Sequence, residues 1–191
     1  MLNTSKRILL ASKSPRRLQL LQQLGFAVEL VHQDIAEDFP ADLDPREVPA
    51  FLARLKSSAC VEHLRTDSDI LLASDTIVLM DGEIFHKPTD FEDGKRILNR
   101  LQGRMHEVVT GVCLRSKHKT ISFSDIAKVY FAPMSADEIA YYLHTYKPYD
   151  KAGAYAIQEW IGAAKITRME GSYTTIMGLP THLVYEHLQN F

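Results

Sequence analysis

The chain encodes an α/β protein built on a mixed sheet, and three features of its 191 residues predict that class. Continuous aliphatic runs at Ile8–Ala11 and Ile70–Ala73 have the length and composition of strands covered on both faces. Helix starts alternate with strands, the first at Ser14-Pro15. Asp81-Gly82 and the segment from Ser116 to Lys119 then mark hairpins, which need antiparallel neighbours. No repeat, low-complexity tract or Gly/Ser linker divides the chain. Residues 1–191 therefore read as one domain, or two tightly packed lobes without a separable linker.

The first strand is expected at Arg7–Ser12, followed by a helix with Ser14 at the N-cap, Pro15 at its first position and Gly25 as its stop. A second strand follows at Ala27–Val31, then an acidic loop from Asp34 to Asp44. A helix from Pro49 to Leu64 would bury Phe51, Leu52, Leu55 and Ala59, leaving Arg54 and Lys56 off that stripe. Ile70–Ala73 ends at Ser74-Asp75-Thr76, and Ile77–Met80 pairs with Glu83–Phe85 across the Asp81-Gly82 turn. Asp90 caps a helix to Leu101, two long strands fill Met105–Phe131, and Ser135 with Glu138 forms a capping box for a helix to His144. Short strands are expected at Ala154–Ile157 and Ala163–Met169, and Pro180 opens a last helix.

Composition narrows the function classes. Lys plus Arg number 22 against 24 Asp plus Glu, so the net charge of -2 speaks against a mainly electrostatic nucleic-acid binder. The longest apolar run, Ile139–Leu143, is far short of the roughly 20 residues that span a bilayer. The basic start Met1–Arg7 precedes only Ile8–Ala11, shorter than the about 7–15 apolar residues of a secretory leader, so a cytoplasmic protein is expected. Cys60 and Cys113 read as two buried thiols in a reducing compartment, and no Cys/His spacing suggests zinc. There is no Gly-x-Ser-x-Gly elbow, Walker loop or dinucleotide fingerprint.

Polar residues collect where strands are expected to end, the usual ligand position in α/β proteins. Ser12, Ser14, Arg16 and Arg17 surround a helix N-terminus, which makes either a phosphate cradle or an ordinary cap with solvated arginines. Asp75 interrupts aliphatic sequence, and a buried carboxylate there must be paired, metal-bound or hydrogen-bonded. It would bind Mg²⁺, take a proton from water, or close a turn on its own backbone. Glu37 is a second metal ligand or a solvated loop charge, and Lys56 and Lys87 are phosphate ligands or surface lysines. Gln158, after Gly153, could read a base edge or simply end a strand. Cations and carboxylates without a covalent nucleophile suit metal-assisted attack of water on a phosphate ester or anhydride.

Taken together, Leu10-Ala11-Ser12-Lys13-Ser14-Pro15-Arg16-Arg17, Ser74-Asp75-Thr76-Ile77-Val78, His86-Lys87-Pro88, Gly103 to Val112, Asp150 to Gln158, Gly171-Ser172-Tyr173 and Gly178-Leu179-Pro180 resemble the Maf family of nucleoside triphosphate pyrophosphatases. The resemblance runs from about Ile8 to Glu186, in order. It implies an elongated two-lobed fold like that of inosine triphosphatase, with a central cleft, and a homodimer without stable nucleic-acid or membrane binding. It also implies cleavage between the α and β phosphates with Mg²⁺ or Mn²⁺. Ser12, Arg16, Arg17, Lys56 and Lys87 fall on the phosphate-side positions, with Ser14 in the same motif. Glu37 and Asp75 form the acidic pair for metal and water, with Asp75 as proton acceptor.

Three specificity positions read Arg16, Thr76 and Gln158, similar to the branch acting on dTTP and UTP. The 7-methyl-GTP branch carries Trp, Gln and Glu there, suited to a cationic base. The rival readings are that second activity, or a non-enzymatic binding protein of cell division. Three positions depart from the family pattern: His86 before Lys-Pro, Ser57 after Lys56, and Glu159-Trp160 after Gln158. A charged Glu159 beside the base-selecting position would bring modified pyrimidine triphosphates into the substrate range.

Overall fold

The structure, a computed structural model, describes residues 6–191. The expectation for Met1–Ser5 as part of a basic leader-free start lies outside the described residues. The elements are β1 (Arg7–Ala11), α1 (Pro15–Gln23), β2 (Val28–Val31), α2 (Val48–Ala59), β3 (Asp69–Met80), β4 (Glu83–Phe85), α3 (Phe91–Leu101), β5 (Met105–Arg115), β6 (Thr120–Phe131), α4 (Ala136–Tyr146), α5 (Trp160–Lys165), β7 (Ile166–Glu170), α6 (Tyr173–Ile176) and α7 (Thr181–Gln189). Hydrogen bonding orders the strands β2-β1-β3-β5-β6-β7, with β4 on β3. β1 pairs in parallel with β2 and β3, whereas β3–β4 and β6–β7 are antiparallel, so the sheet is mixed.

The chain divides into two compact units. The first holds the chain up to Asp75, Thr110–Asp125 and Gly178–Phe191; the second holds Thr76–Val109 and Ile126–Met177. In the first unit β1 is a central parallel strand, and Ile8, Leu9 and Leu10 are fully buried, as the continuous aliphatic run requires. Leu9, Ala11, Val31, Cys60, Leu64, Leu71 and Ala73 form one of its core clusters. Cys60 and Cys113 are both buried and unbridged. In the second unit the core is richer in large side chains, with Phe85, Leu98, Leu101, Phe131, Tyr142, Leu143 and Tyr155 packed together.

Several elements follow directly from local chemistry. Asp81 and Gly82 both take positive φ, 54° and 79°, as a two-residue hairpin requires. The Asp90 side chain accepts from the Asp93 amide at the start of α3, and Ser135 and Glu138 complete a reciprocal capping box on α4. Ser14 occupies the N-cap of α1 without a side-chain cap; its own amide donates to Ser12 Oγ at 3.2 Å.

Four expectations need correction. Ser74-Asp75-Thr76 does not end a strand but lies inside the 12-residue β3. The polar triplet is tolerated there because Ser74 donates to the Gly178 carbonyl (3.1 Å) and Asp75 accepts from Lys56 (2.6 Å), so neither is left unsatisfied. The second helix ends at Ala59, with a 3₁₀ turn at Val61–His63; of the expected stripe only Leu52 is fully buried, with Phe51, Leu55 and Ala59 half-buried, while Val48, Pro49, Ala53 and Ser57 complete the buried face. Ala154–Ile157 is not a strand: Gly153 and Ala154 take φ of 68° and 59°, which breaks extended pairing. Residues 160–165 are helical, and only Ile166–Glu170 forms the strand expected from Ala163 onward.

Candidate active site

In the first unit, the start of α1, the loop after β2, the last turn of α2 and β3 supply the charged side chains. Lys56 reaches from α2 to Asp75 on β3, Nζ to Oδ1 2.6 Å, and to Glu37 in the loop after β2, Nζ to Oε1 3.0 Å. Lys56 is 18% exposed and Asp75 13%, so this is not a screened surface pair. Two carboxylates from distant sequence thus converge on one cation. The acidic loop, which looked like solvated charge, places Glu37 at the same ammonium as Asp75.

Lys56 reaches that position because α2 approaches the sheet closely. Gly111 on β5 is what permits it: a Cβ built there would run into the backbone nitrogen of Ala50 and the carbonyl carbon of Pro49. In the sequence Gly111 is one residue of the Gly103–Val112 motif, and its seating of the helix that carries Lys56 is visible only in the fold. The signal was a lone glycine inside a strand pattern, which often marks close backbone approach.

Arg17 turns inward from the first turn of α1. Its Nε donates to the Gly178 carbonyl at 2.8 Å and its Nη1 to Ser12 Oγ at 3.2 Å. Burial pulls the Arg17 guanidinium below its ordinary pKa, while the carboxylates of Asp75 and Glu37 oppose that and Arg16 adds to it. Gly178 therefore accepts from both Arg17 and Ser74, joining the α1 start, β3 and the approach to α7. It was visible in the sequence only as part of a Gly-Leu-Pro motif. Ser12, Ser14 and Arg16 are partly buried in the same loop and first turn.

The remaining predicted residues belong to the second unit. Thr76, partly buried, follows Asp75 on β3; Lys87 is exposed on the loop after β4; Gln158 is exposed just before α5. Glu159 does not lie open beside Gln158. Its carboxylate accepts from the Tyr142 hydroxyl and lies 3.5 Å from Lys151 Nζ.

Among the described residues no group of three or more His, Cys, Asp or Glu is arranged to hold a metal. The Glu37–Asp75 pair still fits a hard divalent cation that completes its shell with substrate phosphates and water, since such ions commonly use one or two carboxylates. No helix among the described residues is long and apolar enough to cross a membrane.

A cluster of carboxylates, an ammonium and a guanidinium on a mixed α/β scaffold is what the first unit presents. Residues 7–191 match the Maf-like protein family, and the chain belongs to it. It is similar to the dTTP/UTP pyrophosphatase of Porphyromonas gingivalis, 50% identical over 187 residues, covering 97% of this chain and 94% of that protein. The dTTP/UTP pyrophosphatases of Flavobacterium psychrophilum and Parabacteroides distasonis are 44% and 41% identical, covering 96% and 97% of this chain and 94% and 96% of those proteins. The solved structure of the Staphylococcus aureus Ham1 protein superposes with a TM-score of 0.49 at 16% identity, over 66% of this chain and 72% of that one.

Proposed function

We propose that this protein is a nucleoside triphosphate pyrophosphatase that hydrolyses dTTP and UTP to the monophosphate and pyrophosphate. The observation that carries the proposal is the convergence of Asp75 and Glu37 on Lys56, in a chain of the Maf family. Water adds to the α-phosphorus, the bond to the β-phosphate oxygen breaks, and Asp75 accepts the proton the water gives up. Lys56, Lys87, Arg17 and Ser12 stabilise the negative charge of the phosphates, and Arg17 is held in place by Ser12 Oγ and the Gly178 carbonyl. Glu37 and Asp75 would hold Mg²⁺ or Mn²⁺, which when bound neutralises phosphate charge. Arg16, Thr76 and Gln158 select the pyrimidine substrate, Gln158 with an amide that both donates and accepts. The two buried free thiols support a reducing, cytoplasmic setting, and the working form is a homodimer.

Pyrophosphate release from dTTP, UTP, CTP, GTP, 7-methyl-GTP and modified pyrimidine triphosphates, with and without divalent metal, tests the proposal. Metal-dependent turnover favouring dTTP and UTP is expected. Preference for 7-methyl-GTP would overturn the roles of Arg16, Thr76 and Gln158. Silence across the panel from folded protein would favour a binding protein.

A further inference from the structure

We infer that Glu159 is a positioning residue that fixes Gln158 through Tyr142 and Lys151, an inference that rests on Gln158 selecting the base. Residues 150–159 form no strand or long helix of their own: a 3₁₀ turn at Ala152–Ala154 is followed by a turn in which the Glu159 amide donates to the Ala156 carbonyl at 3.1 Å. A segment of this kind must be held by side chains if its exposed end is to present a fixed amide.

The tie is built around one hydroxyl. Tyr142 on α4 is fully buried, yet its hydroxyl donates to the Glu159 carboxylate and accepts from the Ala156 amide at 3.1 Å. Residues on both sides of Gln158 are thereby fixed to one point on a helix. Lys151, 11% exposed, closes the arrangement from the start of the segment, 3.5 Å from Glu159 and 2.6 Å from Asp150. Asp150 is open to solvent, but Glu159 and Lys151 are sheltered from water, so the charge-assisted contacts of the Glu159 carboxylate are little screened.

The rest of the segment is anchored independently. The Gly153 amide donates to the His86 carbonyl at 3.2 Å, next to Lys87, and a Cβ on Gly153 would lie 2.7 Å from Val78. The Tyr155 hydroxyl meets His106 Nε2 at 2.7 Å. These contacts hold residues 153–155; residues 156–159 form a turn closed by the Glu159 amide on the Ala156 carbonyl at 3.1 Å, and the Tyr142 hydroxyl is the side-chain tie that fixes both ends of that turn to α4. The charged residue that replaces a common glycine after Gln158 is thus a brace turned toward the core.

The test compares full-length wild type with Glu159→Ala, Glu159→Gln, Tyr142→Phe and Gln158→Ala. Glu159→Ala and Tyr142→Phe should each raise KM for dTTP and UTP by about tenfold, the scale of one charge-assisted hydrogen bond, with kcat little changed. Hydrogen exchange at the Ala156 amide should accelerate in both. Glu159→Gln keeps an acceptor for Tyr142 and should recover most of the loss. Variants that change thermal stability but leave KM, substrate preference and Ala156 exchange at wild-type values would overturn the inference. If Gln158→Ala leaves substrate preference unchanged, the base-selecting role of Gln158 fails, and unchanged Ala156 exchange in Glu159→Ala would separately refute the brace.

Discussion

The two units use polar groups in opposite ways. In the first, charge is gathered at one place: Lys56 holds Asp75 and Glu37, and Arg17 bridges Ser12 and Gly178. In the second, buried polar groups join structural segments: the Tyr142 hydroxyl links Glu159 to Ala156, and Tyr155 meets His106. Converging charges that are only mutually neutralised suit chemistry on an incoming anion. Hydroxyl-centred ties between neutral or singly charged groups suit placement of a loop. Substitutions at the gathered charges of the first unit should therefore change rate, and those at the hydroxyl-centred ties of the second should change selection or stability.

The largest effect is expected at Lys56. Lys56→Met should lower kcat/KM by about 10³, the cost of losing a positioned cation at developing phosphate charge; a loss confined to KM would blur the division between units. Gly111→Ala should destabilise the protein by about 3 kcal/mol, because its Cβ meets backbone that has no rotamer to yield. Chemical denaturation would measure that loss, and a small one would mean α2 can lift without cost.

A smaller effect comes from His106 in the second unit. Burial lowers its pKa from 6.5 to about 3, so the folded protein refuses a proton that the unfolded chain accepts. Its contribution is fully present above the unfolded pKa and is lost as pH falls from there toward the folded value. Between about pH 7 and pH 5 this amounts to about 2 kcal/mol, a loss that His106→Phe should remove from the pH profile of unfolding. The smallest effect is a gain. Ser57 is fully buried with no hydrogen-bond partner for its hydroxyl, so Ser57→Ala should raise stability by about 1 kcal/mol.

Local chemistry in the sequence was a good guide wherever one residue type dictates one geometry. The Asp81-Gly82 turn, the Asp90 cap and the Ser135–Glu138 box all formed as expected. Reading failed where a distant partner decided the outcome. Ser74 and Asp75 resemble a strand end until Gly178 and Lys56 are seen to satisfy them. Residues 154–157 are all apolar, like a short buried strand, but the left-handed turn at Gly153 and Ala154 and the Tyr142 hydroxyl hold them otherwise. Glu37 is exposed, as a solvated loop charge would be, but its ion-pair partner Lys56 lies 19 residues on and in turn holds Asp75. The candidate motifs are visible one by one; that Glu37, Lys56 and Asp75 meet in the first unit is visible only in the fold.

The most direct measurement is dTTP turnover by Asp75→Asn with its thermal unfolding recorded beside wild type. Asparagine keeps the shape and an acceptor for Lys56 but cannot take up a proton at neutral pH. Turnover lowered by about 10³ or more, with metal present and unfolding temperature nearly unchanged, is the predicted result. Turnover within a few-fold of wild type would contradict the placement of the chemistry at Asp75.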